Sequence, residues 1–177
     1  MKHTVLVSLL GFFLATYSAS AQQADNNAYI EDTSSLDNII SSLYEVISGD
    51  KGQERDWDRF MNLFDTHAML IPCGKNPEGK IVARHWTPKE YSEQAGPYLI
   101  ENGFFEKEIH REEEQFGNIT HVWSTYESYR SLEDSAPFVR GINSIQLMND
   151  GTRWWVMNIF WTAETSELPI PKRYLPN

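Results

Sequence analysis

Three stretches of the chain combine helical hydrophobic spacing with residues that start or stop a helix. The first begins after Ser34 or Ser35, either of which can cap it, and ends at Gly49. A second, shorter stretch around Trp57 has aromatic residues on one side and charged residues on the other. The third starts at Thr87–Glu90, where Thr can cap, Pro fits the first helical position and Glu completes a capping box. The first helix buries a stripe made of Leu36, Ile39, Ile40, Leu43, Tyr44 and Ile47.

Strand patterns occupy most of the remaining chain. Two short ones, His67–Ile71 and Lys80–Trp86, flank the turn-forming run Asn76–Gly79 and predict a hairpin. Asn149–Gly151 is a strong hairpin turn between the last two long strands. Because the helices come before a run of antiparallel strands, the pattern predicts an α+β fold, a cone-shaped curved antiparallel sheet packed on three helices. The long strands are predicted at 104–116, 119–130, 138–148 and 153–163.

The first residues have the three parts of a secretory signal peptide. Lys2 gives a positive start, Val5–Ala15 is apolar, and Ala19–Ala21 is a small-residue cleavage site. The apolar run is too short to span a bilayer, which takes about 20 residues. The sequence therefore predicts an exported protein, periplasmic or secreted, without a membrane anchor. The predicted organisation is a signal peptide (1–21), a flexible lead (22–33), one domain (34–164) and a proline-containing tail (165–177).

Charge and cysteine content argue against several classes of partner and site. The chain has 25 acidic and 15 basic residues and a net charge of −10, which disfavours nucleic acid and anionic membrane surfaces as partners. Its one cysteine, Cys73, cannot form an internal disulfide. The histidines His67, His85 and His121 match no zinc-binding spacing. Neither a metal nor a cofactor is predicted.

Several polar residues within the predicted strands are candidates for a ligand pocket. Tyr126 belongs to a row of small or apolar residues expected to face the helices, where its hydroxyl can bind a ligand or satisfy a core group. Asn143 and Asn158 lie within apolar strands. Each amide either links neighbouring strands, which is the favoured interpretation, or points at a ligand. The row that Tyr126 completes also contains Thr120, Val122 and Ser124.

His110 is a candidate for proton transfer because it shares a strand face with Glu112. Glu108 and Glu114 continue the same row, and a dry pocket does not tolerate so much unpaired negative charge. The favoured interpretation of this row is therefore a solvated outer face. His85 is a further pocket candidate, chosen by residue type alone.

Four stretches resemble one known superfamily. His121–Ser128, Arg140–Leu147 and Asp150–Trp161 resemble the C-terminal three strands of nuclear transport factor 2-like proteins, in the bacterial branch with SnoaL-like domains. Leu63–Ala68 resembles that superfamily's link from the second helix to the first strand. The resemblance covers about 34–164 and implies the cystatin-like roll of those proteins. That fold hosts isomerases, dehydratases, cyclases and non-catalytic modules.

Ketosteroid isomerases resemble this plan, and the resemblance implies where their chemistry would lie. They use a carboxylate at the end of the first strand as a base, with a tyrosine from the first helix as a hydrogen-bond donor. Tyr44 suits the part of the tyrosine, but the strand end here is Ile71–Cys73 and contains no acid. That isomerase chemistry is therefore not predicted. A resemblance to scytalone dehydratase-type members would place His85 and His110 beside a cavity.

Three functional hypotheses follow from these features. The first is an exported module that binds a small apolar molecule in a pocket between sheet and helices. The second is a cofactor-free isomerase, dehydratase or cyclase that uses His or Tyr for acid–base chemistry, and the third is a dimerising module without a ligand. Trp154, Trp155 and Trp161 make both faces of the last strand apolar, which predicts a homodimer through the outer sheet face. Alternatively, the tail folds over that face.

Overall fold

The computed structural model describes residues 28–176. The predicted signal peptide and most of the flexible lead lie outside the described residues and stay predictions. The helices are α1 (Leu36–Ile47), α2 (Trp57–Asn62) and α3 (Pro88–Asn102). The strands are β1 (Phe64–Lys75), β2 (Ile81–Ala83), β3 (Phe105–Phe116), β4 (Ile119–Tyr129), β5 (Val139–Asn149) and β6 (Trp154–Ala163). Within residues 28–176, no helix has the length and hydropathy needed to cross a bilayer.

The local capping signals fix where the two longer helices begin. The Ser35 hydroxyl accepts a hydrogen bond from the backbone N–H of Asn38 at 3.1 Å and caps α1. Thr87 and Glu90 form the predicted capping box at α3, where each side chain accepts from the backbone N–H of the other at 3.2 and 2.8 Å. Gly103 ends α3 with a φ of 69°, a conformation that favours glycine. These signals act within a few residues, so the sequence alone can predict them.

The sheet is mixed, with the strand order β2-β1-β6-β5-β4-β3. β1 and β6 are parallel, whereas the other neighbouring pairs are antiparallel. The predicted α+β class and the curved sheet over three helices are confirmed, but the expectation of antiparallel pairing throughout is wrong at β1. Parallel neighbours need a long connection, and the chain between β1 and β6 contains α3 and four strands.

A β-bulge in β3 changes which of its residues face the helices. Glu108 pairs with Tyr126 while His110 pairs with Thr125, so Ile109 is an extra residue without a partner on β4. Glu108 therefore lies on the helix side, and His110 lies on the outer side of the sheet. The predicted row that joined these two residues is wrong, because it assumed an unbroken two-residue alternation along the strand.

A second bulge, in β6, has the same effect on Asn158. Gln146 pairs with Asn158 while Leu147 pairs with Val156, which leaves Met157 as the extra residue. Asn158 therefore lies on the outer face of the sheet. Its Oδ1 atom is buried there without a hydrogen-bond partner in the described part of the chain.

The helix-facing row of β4 lies at the centre of the core. Its four members are at most 5% exposed and lie opposite the inner residues of β5. Ile39 and Ile40 of α1 are fully buried in the same core. The sheet and α1 therefore enclose the space in which the candidate site lies. The row consists of Thr120, Val122, Ser124 and Tyr126.

The proline-containing tail folds back over part of the outer sheet face. Thr125 Oγ1 donates a hydrogen bond to the backbone carbonyl of Tyr174 at 2.7 Å, and the rings of Trp123 and Tyr174 are 5.7 Å apart. Thr125 has no exposed surface as a result. Trp123 and Phe160, on the same face, remain 37% and 43% exposed. The tail thus covers one part of this face, and the predicted homodimer stays a prediction.

Candidate functional site

A cavity of about 310 Å³ lies between the helix-facing side of the sheet and the three helices. Aliphatic and aromatic side chains form most of its wall, which makes it a mainly apolar chamber. Those side chains are Leu43, Ile47, Phe60, Leu70, Pro72, Trp86, Ala95, Leu99, Phe104, Ile145, Ile159 and Trp161. The polar groups that reach it belong to Tyr44, Tyr91, Glu106, Tyr126 and Asn143.

Glu106 supplies the one carboxyl group in the lining of this cavity. It lies near the start of β3 on the helix side and pairs with Ser128 on β4. Ser128 Oγ donates a hydrogen bond to its carboxyl at 2.6 Å. Burial raises the pKa of Glu106 to about 7, although the hydrogen bond from Ser128 and the nearby amide of Asn143 act in the opposite direction. A carboxyl with this pKa can both accept and donate a proton near neutral pH.

The end of α1 holds Glu106 in place. Ser48, the residue that follows α1, accepts a hydrogen bond from the backbone N–H of Glu106 at 3.0 Å and donates one to the carbonyl of Tyr44 at 2.6 Å. Gly49 and Phe104 exchange two backbone hydrogen bonds of 2.7 and 3.0 Å beside this contact. Glu106 and Tyr44 also line an open groove next to β3.

Tyr44 is linked to the sheet by a chain of hydrogen bonds. Asn143 Nδ2 donates to the Tyr44 hydroxyl at 3.1 Å, and that hydroxyl is 2.5 Å from Ser124 Oγ. Ser124 Oγ in turn donates to the carboxylate of Glu108. Because the single proton of Ser124 is used on Glu108, Tyr44 donates to Ser124. Burial and the negative charge of Glu106 raise the pKa of Tyr44, which keeps its hydroxyl neutral.

An ion pair forms the outer end of this chain. Arg111 Nε and Nη2 donate to the Glu108 carboxylate at 2.9 and 2.7 Å and form a bidentate ion pair. Arg111 Nη1 also donates to Asp37 at 2.7 Å and to Glu113 at 3.0 Å. The guanidinium thus offsets the charge of Glu108, which is why a second carboxylate can lie on the helix side of β3.

Tyr91 and Tyr126 place two more hydroxyls beside Glu106. Burial, and then the charge of Glu106, raise the pKa of both phenols. No hydrogen bond joins either hydroxyl to another residue among residues 28–176. The Tyr126 hydroxyl fits over Gly141, where any Cβ would collide with it and with the carbonyl of Thr162. The site is therefore a carboxyl and three tyrosine hydroxyls in a mainly apolar chamber.

No protein-family model matches the sequence, and no curated protein sequence matches it. Solved structures do match. A protein from Thiobacillus denitrificans described as a calcium/calmodulin-dependent protein kinase type II association domain has 9% identity and a TM-score of 0.55, over 74% of this chain and 96% of that one. The beta subunit of benzoate 1,2-dioxygenase from Burkholderia mallei has 12% identity and a TM-score of 0.52, over 80% of this chain and 97% of that one.

The element order of helix, helix, hairpin, helix and four long strands is the one that the sequence resemblance implied. The chain has the nuclear transport factor 2-like fold. Identities this low concern the fold alone, and the SnoaL-like branch stays a prediction.

Within this nuclear transport factor 2-like fold, the predicted pocket residues divide into two groups. Tyr44 and Tyr126 line the cavity together with Asn143. His110 lies on the outer face of β3, with Nε2 at 3.4 Å from Glu112 Oε1, and the β6 bulge turns Asn158 away in the same manner. His85 is exposed in the segment that joins β2 to α3.

Two cavity residues escaped the sequence reasoning. Glu106 belongs to a strand rich in glutamates, and such a strand reads as a solvated face unless the bulge at Ile109 is known. Tyr91 follows the α3 capping box and gives no local sign that its hydroxyl approaches β3. Within residues 28–176, no group of three or more His, Cys, Asp or Glu side chains is arranged to hold a metal ion.

Proposed function

We propose that the protein, exported as its first residues predict, binds a small and mostly apolar molecule that carries a hydrogen-bonding oxygen. The hydroxyls of Tyr91 and Tyr126, which line the cavity with Glu106 and form no hydrogen bond with another residue among residues 28–176, carry this proposal. Buried polar groups are normally hydrogen-bonded. An oxygen atom of a ligand in the cavity would give these two hydroxyls a hydrogen-bond partner.

The size and lining of the cavity support the same ligand class. Its volume of about 310 Å³ is at the small end of the range for small-molecule sites, roughly 300–1,000 Å³. The aromatic side chains of Phe60, Trp86, Phe104 and Trp161 offer flat apolar surfaces. A ligand of one or two fused rings fits this description. The hypothesis of a dimerising module without a ligand is less well supported, because it expects a filled core.

A titration with 2-naphthol and naphthalene tests the proposal. Both probes are apolar and flat, and they differ by one hydroxyl group. Followed by ligand-observed NMR, 2-naphthol is expected to bind roughly fivefold more tightly, because a net hydrogen bond contributes about 1 kcal/mol. Ala95→Phe places a ring in the cavity and is expected to weaken both probes about tenfold or more.

The control is Ala83→Phe, which adds the same ring on the exposed strand β2 and is expected to leave both affinities unchanged. Replacement of Tyr91 and Tyr126 together by Phe is expected to remove the preference for 2-naphthol. Equal affinities for the probes in Ala95→Phe and Ala83→Phe would show that the probes bind outside the cavity, which contradicts the proposal. A wild-type chain that binds neither probe would also contradict it.

A second candidate function is acid–base catalysis, and the position of Glu106 favours it. The sequence shows no acid at the end of the first strand, where Pro72 lines the cavity instead. Glu106 brings a carboxyl to the same cavity from β3, with a pKa of about 7. Such a group suits proton transfer to or from an apolar substrate without a cofactor.

The eliminative ring opening of 5-nitro-1,2-benzisoxazole tests this second function with a neutral aromatic probe. The carboxylate of Glu106 would take the proton from C3 while the N–O bond breaks, which opens the ring to a single product that carries a nitrile and a phenolate. The rate is expected to rise with pH through about 7, because the ionised carboxylate is the base. Glu106→Gln is expected to lower it by about 100-fold. Glu114→Gln, on the exposed outer side of β3, is the matched control, and equal losses in the two variants would exclude Glu106 as the base.

A further inference from the structure

A chain of hydrogen bonds joins the partly buried ion pair of Glu108 and Arg111 to an amide that lines the cavity. We propose that Glu108 and Arg111 are positioning residues that fix the orientation of the Asn143 amide beside Glu106. Neither residue needs to touch the ligand in order to act. The inference rests on the proposed function of the cavity, since it concerns the groups that influence the protonation of Glu106.

The ion pair sets the direction of every link in the chain. A carboxylate bound by a guanidinium can only accept hydrogen bonds, so Ser124 must donate to Glu108. Ser124 has one proton, so it must accept from the Tyr44 hydroxyl, 2.5 Å away. Tyr44 also has one proton, and its oxygen is therefore left to accept from Asn143 Nδ2 at 3.1 Å. Each step follows from the one before it.

The direction of the chain decides which end of the Asn143 amide faces the carboxyl. With Nδ2 turned toward Tyr44, the amide also interacts with Glu106 and stabilises its charged form. In the reverse direction, Tyr44 would donate to Oδ1 of Asn143, and an amide oxygen would lie near the carboxylate. That arrangement favours the protonated form of Glu106. The ion pair of Glu108 and Arg111 therefore influences the protonation of a group it does not contact.

The other titratable groups near Glu106 lie outside this chain. Tyr91 approaches from α3 and Tyr126 from β4, and both sense the charge of Glu106. In the open groove, the charged neighbours are Glu45 on α1, Lys107 on β3 and Asp134 after β4. None of these three has a hydrogen bond to Tyr44, Ser124 or Asn143 among residues 28–176.

Glu108→Gln distinguishes an effect through the hydrogen-bond chain from a simple charge effect, because the two predict opposite shifts in the pKa of Glu106. Arg111 needs an acceptor, so the Gln oxygen faces Arg111 and its NH₂ group faces Ser124. The hydroxyls then reverse, and the pKa of Glu106 is expected to rise by about one unit, the scale of one hydrogen bond to a charged group. Acting through space alone, the lost negative charge and the freed Arg111 would lower that pKa instead.

The measurement is a pH titration of the Glu106 side-chain carboxyl carbon by ¹³C NMR, on the full mature chain without a ligand. Its resonance is assigned from its loss in Glu106→Gln. Glu113→Gln is the matched control, since Glu113 also binds Arg111 but lies outside the chain. It is expected to leave the pKa of Glu106 unchanged or slightly lower. A fall or no change in Glu108→Gln overturns the proposal.

A second variant keeps the test decisive if Glu108→Gln does not fold. Glu108→Ala removes the acceptor without supplying a donor, so a smaller rise in the same pKa is expected. In the Tyr44→Phe background the chain of hydrogen bonds is interrupted, and neither substitution at Glu108 should raise the pKa of Glu106 further. An equal rise with and without Tyr44 would overturn the proposal. Because no ligand is used, this outcome is independent of whether 2-naphthol binds.

Discussion

At the scale of single residues, Glu106 shows how burial changes the chemistry of a common side chain. An ordinary glutamate has a pKa near 4.5, whereas Glu106 has one of about 7 because little water reaches its carboxyl. Ser128 limits the shift by donating to the charged form, and the amide of Asn143 acts in the same direction. The folded protein therefore holds Glu106 protonated in mildly acidic solution, and its ionisation opposes folding as the pH rises.

The pH dependence of stability follows from this shift. Below about pH 4.5 Glu106 is protonated in both states, and between about 4.5 and 7 only the folded state keeps the proton. Stability from this group is therefore present at low pH and is lost as the pH rises through the folded pKa. Glu106→Gln is expected to raise the free energy of unfolding at pH 8, relative to wild type, by up to about 3 kcal/mol more than at pH 4.5.

Urea unfolding at the two pH values, followed by circular dichroism, measures this difference. Glu114→Gln removes an exposed carboxyl from the same strand and should show no such dependence. If Glu106→Gln and Glu114→Gln respond alike to pH, the carboxyl of Glu106 does not have a raised pKa.

At the scale of elements, one buried arginine joins the end of α1 to α3. Arg55 is 6% exposed and donates to the carbonyls of Ile47 at 2.9 Å, Gly49 at 2.8 Å and Leu99 at 3.3 Å. It also donates to the carbonyl of Gln53 at 2.5 Å. Carbonyls at helix ends lack partners within the helix, and one planar guanidinium supplies several of them at once.

Arg55→Met is expected to lower the free energy of unfolding by about 3 kcal/mol, because it leaves buried carbonyls without donors. Chemical unfolding monitored by tryptophan fluorescence gives the value. Arg55→Lys should lose nearly as much, since a single ammonium cannot reach the same carbonyls in a plane. Arg84→Met on the exposed segment after β2 provides the comparison, with an expected change within about 0.5 kcal/mol. A loss below about 1 kcal/mol for Arg55→Met would contradict this role.

The elements differ in how far the sequence could predict them. Thr87 and Glu90 sit three residues apart, so the start of α3 is encoded locally. The faces of β4 follow from simple alternation, because that strand has no extra residue of its own. Ile109 and Met157 break the alternation in β3 and β6, and nothing in their residue types distinguishes them from their neighbours. Bulges form when strands pair, so a single strand does not specify them.

The candidate site could be predicted only in part, because some of its residues meet through contacts between distant segments. Tyr44 was suggested by resemblance, and Tyr126 and Asn143 by polar groups in otherwise apolar strands. Glu106 depends on the bulge and on Ser128, which is 22 residues away along the chain. The approach of Tyr91 depends on how α3 packs against the sheet. The site is therefore completed by contacts between segments that are distant along the chain. The sequence of a single strand indicates only some of its residues.

At the scale of the whole molecule, the outer sheet face remains partly open. Trp123 and Phe160 lie there on either side of Ser144, in register across three strands. The tail contacts Trp123 through Tyr174 but leaves Phe160 43% exposed. We propose that the uncovered part of this face pairs two copies of the chain, because exposed aromatic residues on a sheet often mark an interface.

Phe160→Glu is expected to convert a homodimer into a monomer, because it would bury a charge in the proposed interface. Size-exclusion chromatography with light scattering measures the mass of each species. Leu132→Glu changes an 80% exposed leucine outside the sheet and should leave the mass unaltered. A wild-type chain that is monomeric at high concentration, or a Phe160→Glu variant that remains dimeric, would exclude this interface.

The position of β6 has a consequence for how the chain acquires its structure. β6 follows the other five strands of the sheet along the chain, yet it lies between β1 and β5 and joins the two parts of the sheet. Until residues 154–163 are present, β1 has only the short strand β2 beside it. Such distant pairings form slowly. A growing chain therefore keeps its sheet in two parts until residues 154–163 have been made.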